Sequence, residues 1–254
     1  MSPDKSIINP NYQEHPELDY THQVQYRRNI DMFLKAKYVL YPPTRQIYEY
    51  VRNLCIDVAR NHPQYPKWIW KPKICDVGCG GGFGSNILSQ EADFVWGIDK
   101  DEESIKWAQT VFTRHKNNIY YSSQLTFEVI DVLDEPREIM PFDMVTCIET
   151  IEHINDYEKV LAFLKRLCKK DKRGQWVEPP ESTMVFISSP NRNHPRAGQE
   201  TPKSKRHVRE WTPAELYGVL TQHFKYVTLM NYKGEPQELN TQTAVLLFKC
   251  EVPI

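Results

Sequence analysis

Hydrophobic and polar positions follow a helical period at the start of the chain and a strand-like one later. Over residues 23–39, Val24, Ile30, Phe33 and Leu34 share one helical face. Over residues 44–60, Ile47, Tyr48, Val51, Leu54, Cys55 and Val58 recur at spacings of three and four, the period of an amphipathic helix. Pro42-Pro43 separates the two, and a link rich in proline and tryptophan leads to residue 72. From residue 73 short apolar runs alternate with helical stretches. The runs at 74–77, 94–99, 126–132, 142–148 and 183–188 predict strands, and the stretches at 83–89, 102–115, 157–170 and 212–223 predict helices. Such alternation predicts βαβ units and a parallel sheet. Thr212-Pro213 supplies a capping hydroxyl and a proline at the first helical position. Two last runs, 226–232 and 243–252, are divided by a polar segment and predict a hairpin-like pair. The chain therefore divides into an N-terminal extension, residues 1–72, and a main domain, residues 73–254.

Composition narrows the partners. Lys and Arg total 32 against 33 Asp and Glu, so overall charge gives no reason for a nucleic-acid or membrane partner, and any such partner must be read from a local patch. The six cysteines, Cys55, Cys75, Cys79, Cys147, Cys168 and Cys250, lack metal-knuckle spacing and several lie in strand-like runs. They predict reduced, buried thiols. The opening residues carry no apolar core of a signal peptide, and no run approaches about 18 apolar residues. The expectation is an intracellular, cytoplasmic protein with no membrane segment.

The chemistry begins at Asp76-Val-Gly78-Cys-Gly80-Gly-Gly82-Phe-Gly84, where a strand breaks into a glycine cluster and a helix resumes. Glycines let the backbone turn tightly and pass within contact of a bound group. Ligands of an open α/β sheet bind beyond the carboxyl ends of the strands. The second strand ends at Asp99, 21 residues after Gly78, where a carboxylate can accept from both ribose hydroxyls of a nucleoside cofactor. Asp131 closes the third, suited to an exocyclic amine, with Val132 backbone beside it. The dinucleotide pattern Gly-x-Gly-x-x-Gly is missing. Asp76 instead stands two residues before the first glycine, which suits a cofactor with an ammonium end.

Taken together, Asp76-Val-Gly-Cys-Gly-Gly-Gly, Gly97-Ile-Asp99 and Phe142-Asp-Met-Val-Thr-Cys-Ile-Glu149 resemble the class I S-adenosylmethionine-dependent methyltransferases, over roughly residues 73–252. The resemblance implies a doubly wound α/β fold: a seven-stranded, mostly parallel Rossmann-like sheet with an antiparallel terminal strand and an N-terminal helical cap over the cofactor. It implies S-adenosyl-L-methionine as cofactor, with Asp76, Gly78, Gly80, Gly82, Asp99, Asp131, Val132 and Glu149 as the residues that hold it.

The fourth run ends in Glu149-Thr-Ile-Glu152-His153. If a helical turn begins here, spacings of three and four bring two carboxylates and an imidazole to one face, a set suited to Mg²⁺ or Mn²⁺. Arg206-His207-Val-Arg-Glu210-Trp211 follows the fifth strand. The combination is similar to the Hen-type small-RNA 3′-terminal 2′-O-methyltransferases, which would assign Glu149, Glu152, His153 and His207 to a metal. The ubiquinone-pathway O-methyltransferases resemble it in carrying Glu-x-x-Glu-His. Val208-Arg209 departs from the Hen-type pattern, which has an aromatic residue before Glu-Trp. Without a metal, His153 or His207 would act as the general base.

Residues 192–209 hold Arg192, Arg196, Lys203, Lys205, Arg206 and Arg209 against the single acid Glu200. This basic loop suits an anionic acceptor, a small molecule or RNA. Tyr26, Trp211 and Tyr232 could stack on a base, although Trp211 precedes a helix and suits the core. The expected reaction is methyl transfer to an oxygen of a polar or anionic acceptor. A non-catalytic cofactor-binding regulatory or scaffold subunit is the alternative of another class, and a nucleotide-dependent oxidoreductase the third.

Overall fold

The structure, a computed structural model, describes residues 42–61, 70–113, 124–195, 197 and 202–254. The helix expected over residues 23–39, with Tyr26, lies outside them. α1 (Pro42–Arg60) precedes β1 (Lys73–Val77), α2 (Phe83–Leu88), β2 (Phe94–Asp99) and α3 (Glu102–Ala108). β3 (Leu125–Val129), β4 (Met144–Cys147), α4 (Tyr157–Arg166), β5 (Met184–Pro190), α5 (Pro213–Leu220), β6 (Phe224–Met230) and β7 (Val245–Pro253) follow.

The seven strands form one sheet in the order β3-β2-β1-β4-β5-β7-β6. β1 to β5 pair in parallel, whereas β7 lies antiparallel between β5 and β6. The seven-stranded, mostly parallel sheet with an antiparallel terminal strand expected from the chain is thus the sheet observed. The alternation along single strands shows why both faces are covered. In β1, Cys75 and Val77 pack with α4 and α5, while Ile74 packs with α1, α2 and α3. In β5, Val185 and Ile187 face the first group and Phe186 the second. A parallel sheet buried on both faces needs such continuous apolar runs.

α1 buries Ile47, Tyr48, Val51 and Cys55 against this second face. The expected boundary at residue 72 therefore cuts between α1 and the sheet that α1 packs on. α5 starts on the capping box read from Thr212-Pro213: Thr212 Oγ1 accepts from the Glu215 N–H, and the Glu215 carboxylate accepts from the Thr212 N–H, satisfying two end donors. The helix expected to run to residue 115 is α-helical only to Ala108, then continues as a π-helical turn, Gln109–Thr113. All six cysteines are buried, and none is in a disulfide. No described helix is long and apolar enough to cross a membrane.

Candidate active site

Sheet order reverses between β1 and β4, the place where an open α/β sheet leaves a crevice at its carboxyl edge. A cavity of about 500 Å³ opens there. Its walls include Gly78, Gly80, Asp99, Asp131, Val132 and Glu149, six of the eight cofactor residues expected from the chain. Gly78 has φ +72, and a Cβ on it would stand 2.3 Å from Thr150 Cγ2. The loop can pass under the β4 segment only because that atom is missing. Asp99 Oδ2 accepts from the Gly80 N–H at 2.8 Å and Oδ1 from the Asp101 N–H at 3.0 Å. One carboxylate thereby fixes both the glycine loop and the start of α3. Asp131 lies in the turn after β3, where its Oδ1 accepts from the Leu133 N–H at 2.9 Å. The strand expected to reach residue 132 ends at Val129, because the chain bends at this turn.

Asp76 and Gly82 have other surroundings. Asp76 is fully buried and does not line the cavity. Its carboxylate accepts from Tyr48 Oη at 3.0 Å, Ser85 Oγ at 2.6 Å and Thr146 Oγ1 at 2.7 Å. The acid expected to receive a ligand ammonium instead ties α1, α2 and β4 together beneath the loop. Burial pushes its pKa up to about 6, with the three hydroxyls pulling the other way. Gly82, at φ +80, begins α2, and a Cβ there would meet the Phe127 ring at 2.6 Å. Its service is close packing rather than ligand approach.

After β4 the expected helical turn begins later than the sequence suggests. Glu149 sits at φ +52, and a single 3-10 turn covers Ile151–His153. Left-handed backbone at a glutamate costs roughly 1–3 kcal/mol and is tolerated where surrounding contacts enforce it. Ser188 enforces it here: its Oγ accepts the Glu149 N–H at 2.9 Å and donates to Glu149 Oε1 at 2.9 Å. Glu149 is consequently turned away from the face on which helical spacing would put it. Burial raises its carboxyl to about 7.

Glu152 and His153 meet His207, 54 residues later in the chain. One ligand atom from each lies within 4.8 Å of the others. His153 Nδ1 is 3.0 Å from the Arg206 carbonyl oxygen, so that nitrogen carries a proton, and Nε2 is 3.8 Å from Glu152 Oε1. His207 Nδ1 is 2.7 Å from Glu210 Oε1. Glu152 is 1% exposed, and among the described residues neither carboxylate oxygen has a hydrogen-bond partner. Burial, then the nearby Glu149, drives its pKa well above the usual carboxylate range. The Val208 N–H donates to the Glu152 carbonyl at 2.8 Å, fastening the two segments.

A second cavity, of about 760 Å³, lies between the end of β5, the start of β7 and the segment carrying His207. Asn191, His194, Lys203, His207, Glu210 and Val245 are among its walls. Among the described residues Glu149 alone borders both cavities.

The basic loop is partly committed to structure. Arg192 pairs with Glu215. Arg209 donates to the Asn155 carbonyl at 2.8 Å and stacks over Tyr157 at 4.7 Å and Trp211 at 5.7 Å. Trp211 is core, as expected, and Tyr232 packs partly buried against the α1 side of the sheet. Arg196 and Glu200 lie outside the described residues. The structure adds Tyr48, Ser188 and Glu210 to the residues expected from the sequence. Ser188 left a trace, a hydroxyl in an apolar strand, and so did Glu210, three residues after a candidate ligand.

A glycine loop at the switch point, an acid after β2 and a polar cluster after β4 define a nucleoside-cofactor enzyme of the open α/β class. Residues 71–216, more than half of the chain, match the family described as methyltransferase domain, and the chain belongs to that family. It is a class I S-adenosylmethionine-dependent methyltransferase. Among curated proteins it is similar to the ubiquinone biosynthesis O-methyltransferase of Pseudomonas fluorescens (strain Pf0-1), 37% identical over 123 residues, 48% of this chain and 45% of that one. The same-named protein of Nitrosomonas europaea is 33% identical over 120 residues, 47% of this chain and 44% of that one. The match thus spans less than half the length of these relatives. Among solved structures, a TehB-like SAM-dependent methyltransferase from Corynebacterium glutamicum superposes with TM-score 0.56 at 16% identity, covering 94% of this chain and 100% of that one. The methyltransferase domain of a bacterial Hen1 superposes with TM-score 0.54 at 16% identity, covering 83% and 100%. At this identity the likeness speaks for the fold.

Proposed function

We propose that this enzyme methylates a hydroxyl oxygen of a polar, anionic acceptor with the help of a divalent cation, Mn²⁺ or Mg²⁺, held by Glu152, His153 and His207. The observation that carries the reading is Glu152, a fully buried carboxylate with no hydrogen-bond partner on either oxygen among the described residues. A buried polar group left unpaired costs roughly 1–3 kcal/mol, and more when charged. A cation would remove that cost, and one carboxylate with two imidazoles is a donor set suited to it. The two nitrogens favour Mn²⁺ over Mg²⁺, which prefers oxygen ligands. When bound, such an ion supplies Lewis acidity that lowers the pKa of a nearby hydroxyl.

The chain's own residues supply binding and alignment. The glycine loop and Asp99 bind the cofactor in the first cavity, and the second cavity receives the acceptor. Glu149 borders both, so hydroxyl and methyl group meet beside it. Its carboxyl, titrating near 7, can take up the hydroxyl proton at neutral pH. As the carbon–oxygen bond forms, the carbon–sulfur bond breaks and its electron pair stays on sulfur, so alignment is the main requirement. Lys203 and His194 on the acceptor cavity wall favour an anionic group on the acceptor. The same two residues favour, as a second reading, the 3′-terminal ribose of an RNA, which offers neighbouring hydroxyls beside phosphate.

Calorimetric titration with Mn²⁺ in the presence of S-adenosylhomocysteine tests the cation. Binding in the wild type that is lost in Glu152→Ala is expected, and intact S-adenosylhomocysteine binding with no Mn²⁺ signal would sink the metal-assisted reading. Methyl transfer to RNA with a free 3′ diol, compared with periodate-oxidised RNA and with small hydroxylated carboxylates, separates the acceptors.

A further inference from the structure

The segment 206–210 does more than deliver His207. It takes the Nδ1 proton of His153 on the Arg206 carbonyl, donates to the Glu152 carbonyl through the Val208 N–H, and carries Glu210. Glu210 is 6% exposed, and its Oε1 lies 2.7 Å from His207 Nδ1. In a neutral imidazole only one nitrogen bears the proton, and a carboxylate at one nitrogen selects that one as donor. The two rings meet edge to face at 81°, with centroids 5.0 Å apart.

We propose that Glu210 is a positioning residue: its carboxylate fixes His207 in the Nδ1-protonated tautomer and so leaves the ring's lone pair on Nε2 as the ligand His207 offers beside Glu152 and His153. The assignment deepens the metal-assisted reading and rests on it for its consequence in catalysis, while the tautomer itself can be read in the metal-free protein. Two independent features give it weight. Both histidines of the cluster have Nδ1 tied to an oxygen of the same five-residue segment. This is the arrangement by which outer carboxylates and carbonyls orient imidazole ligands and raise their basicity. The segment is also fastened to the cluster by its own backbone, the Val208 N–H donating to the Glu152 carbonyl at 2.8 Å. Glu210 therefore acts through His207, with no contact to the acceptor required.

Glu210→Gln keeps size and an acceptor oxygen but removes the charge, and Glu210→Ala removes both. Long-range ¹⁵N–¹H correlation spectra of the metal-free protein at about pH 8.5, where neutral imidazole dominates, read the tautomer directly. The wild type should show His207 protonated at Nδ1, and Glu210→Ala should shift it toward the Nε2-protonated form common in unrestrained histidine. Mn²⁺ titration should then show roughly tenfold weaker binding in Glu210→Gln and up to about a hundredfold in Glu210→Ala, with S-adenosylhomocysteine affinity unchanged. A merely structural role would lower the melting temperature without moving either readout. An Nε2-protonated His207 in the wild type, or a tautomer unchanged in Glu210→Ala, overturns the assignment. So does Mn²⁺ affinity in both variants within twofold of the wild type. A wild type that shows the Nδ1 tautomer but binds no Mn²⁺ upholds the role of Glu210 and refutes the metal reading instead.

Discussion

Replacing Glu152 by methionine should make the metal-free enzyme more stable and the metal-treated enzyme relatively less so. The side chains are similar in volume, and Glu152 is buried to 1% exposure with neither oxygen hydrogen-bonded among the described residues. Without a cation the wild type carries the cost of a buried, unsatisfied carboxyl, about 1–3 kcal/mol, and Glu152→Met relieves it. For a chain of this size each kcal/mol moves the melting temperature by roughly 2–4 °C. In a chelator the variant should therefore melt about 4–8 °C above the wild type, taking the middle of that range. With Mn²⁺ at about a hundred times its dissociation constant, the wild type gains about 2.7 kcal/mol and the variant nothing. The order of the two melting curves should then reverse. Thermal unfolding followed by circular dichroism, with and without Mn²⁺, checks both halves. A variant less stable than the wild type in chelator would mean that Glu152 is satisfied by the protein itself, and the physical case for a cation at this place would fall.

Two further outcomes concern the cofactor side. Asp99→Ala removes the acceptor of both the Gly80 and the Asp101 N–H groups. S-adenosylhomocysteine binding should weaken more than tenfold, about 1.4 kcal/mol, and unchanged affinity by calorimetry would remove Asp99 from the cofactor site. Asp76, raised to about 6 from an ordinary value of 3.8, gives a pH signature. The native state holds its proton more tightly than the unfolded chain, so this stability is full below the unfolded value and is lost as pH rises through about 6. Asp76→Asn lacks that loss. Its stability relative to wild type, from urea unfolding, should rise by about 2 kcal/mol between about pH 4.5 and about pH 7.5, and a flat difference would contradict the burial argument.

Much of the molecule is written in local pattern. Apolar runs alternating with helical stretches specify five parallel strands and their crossovers, because each strand and helix needs only its own period to declare itself. The glycine loop, Asp99 at the end of β2 and the capping box at Thr212 are equally local, depending on residues a few positions apart. The chain likewise shows Glu149, Glu152 and His153 as chemically notable, but their arrangement was not legible. An ideal helical turn would put all three on one face, whereas Ser188 on the neighbouring strand holds Glu149 at positive φ and draws its carboxylate aside. His207 enters the cluster because the hydrogen bond from the Val208 N–H to the Glu152 carbonyl brings distant segments together. Arg192 and Arg209, read as part of a basic patch, are engaged by Glu215, Asn155 and Tyr157. Asp76 looked like a ligand for an ammonium until Tyr48, on a helix 28 residues earlier, and Thr146 on β4 proved to be its partners. The sequence by itself determined which groups the protein possesses and which strands carry them, since those follow from covalent order and short-range periodicity. The tertiary structure alone decided which groups meet, since burial and hydrogen bonding between remote segments depend on how the sheet brings them side by side.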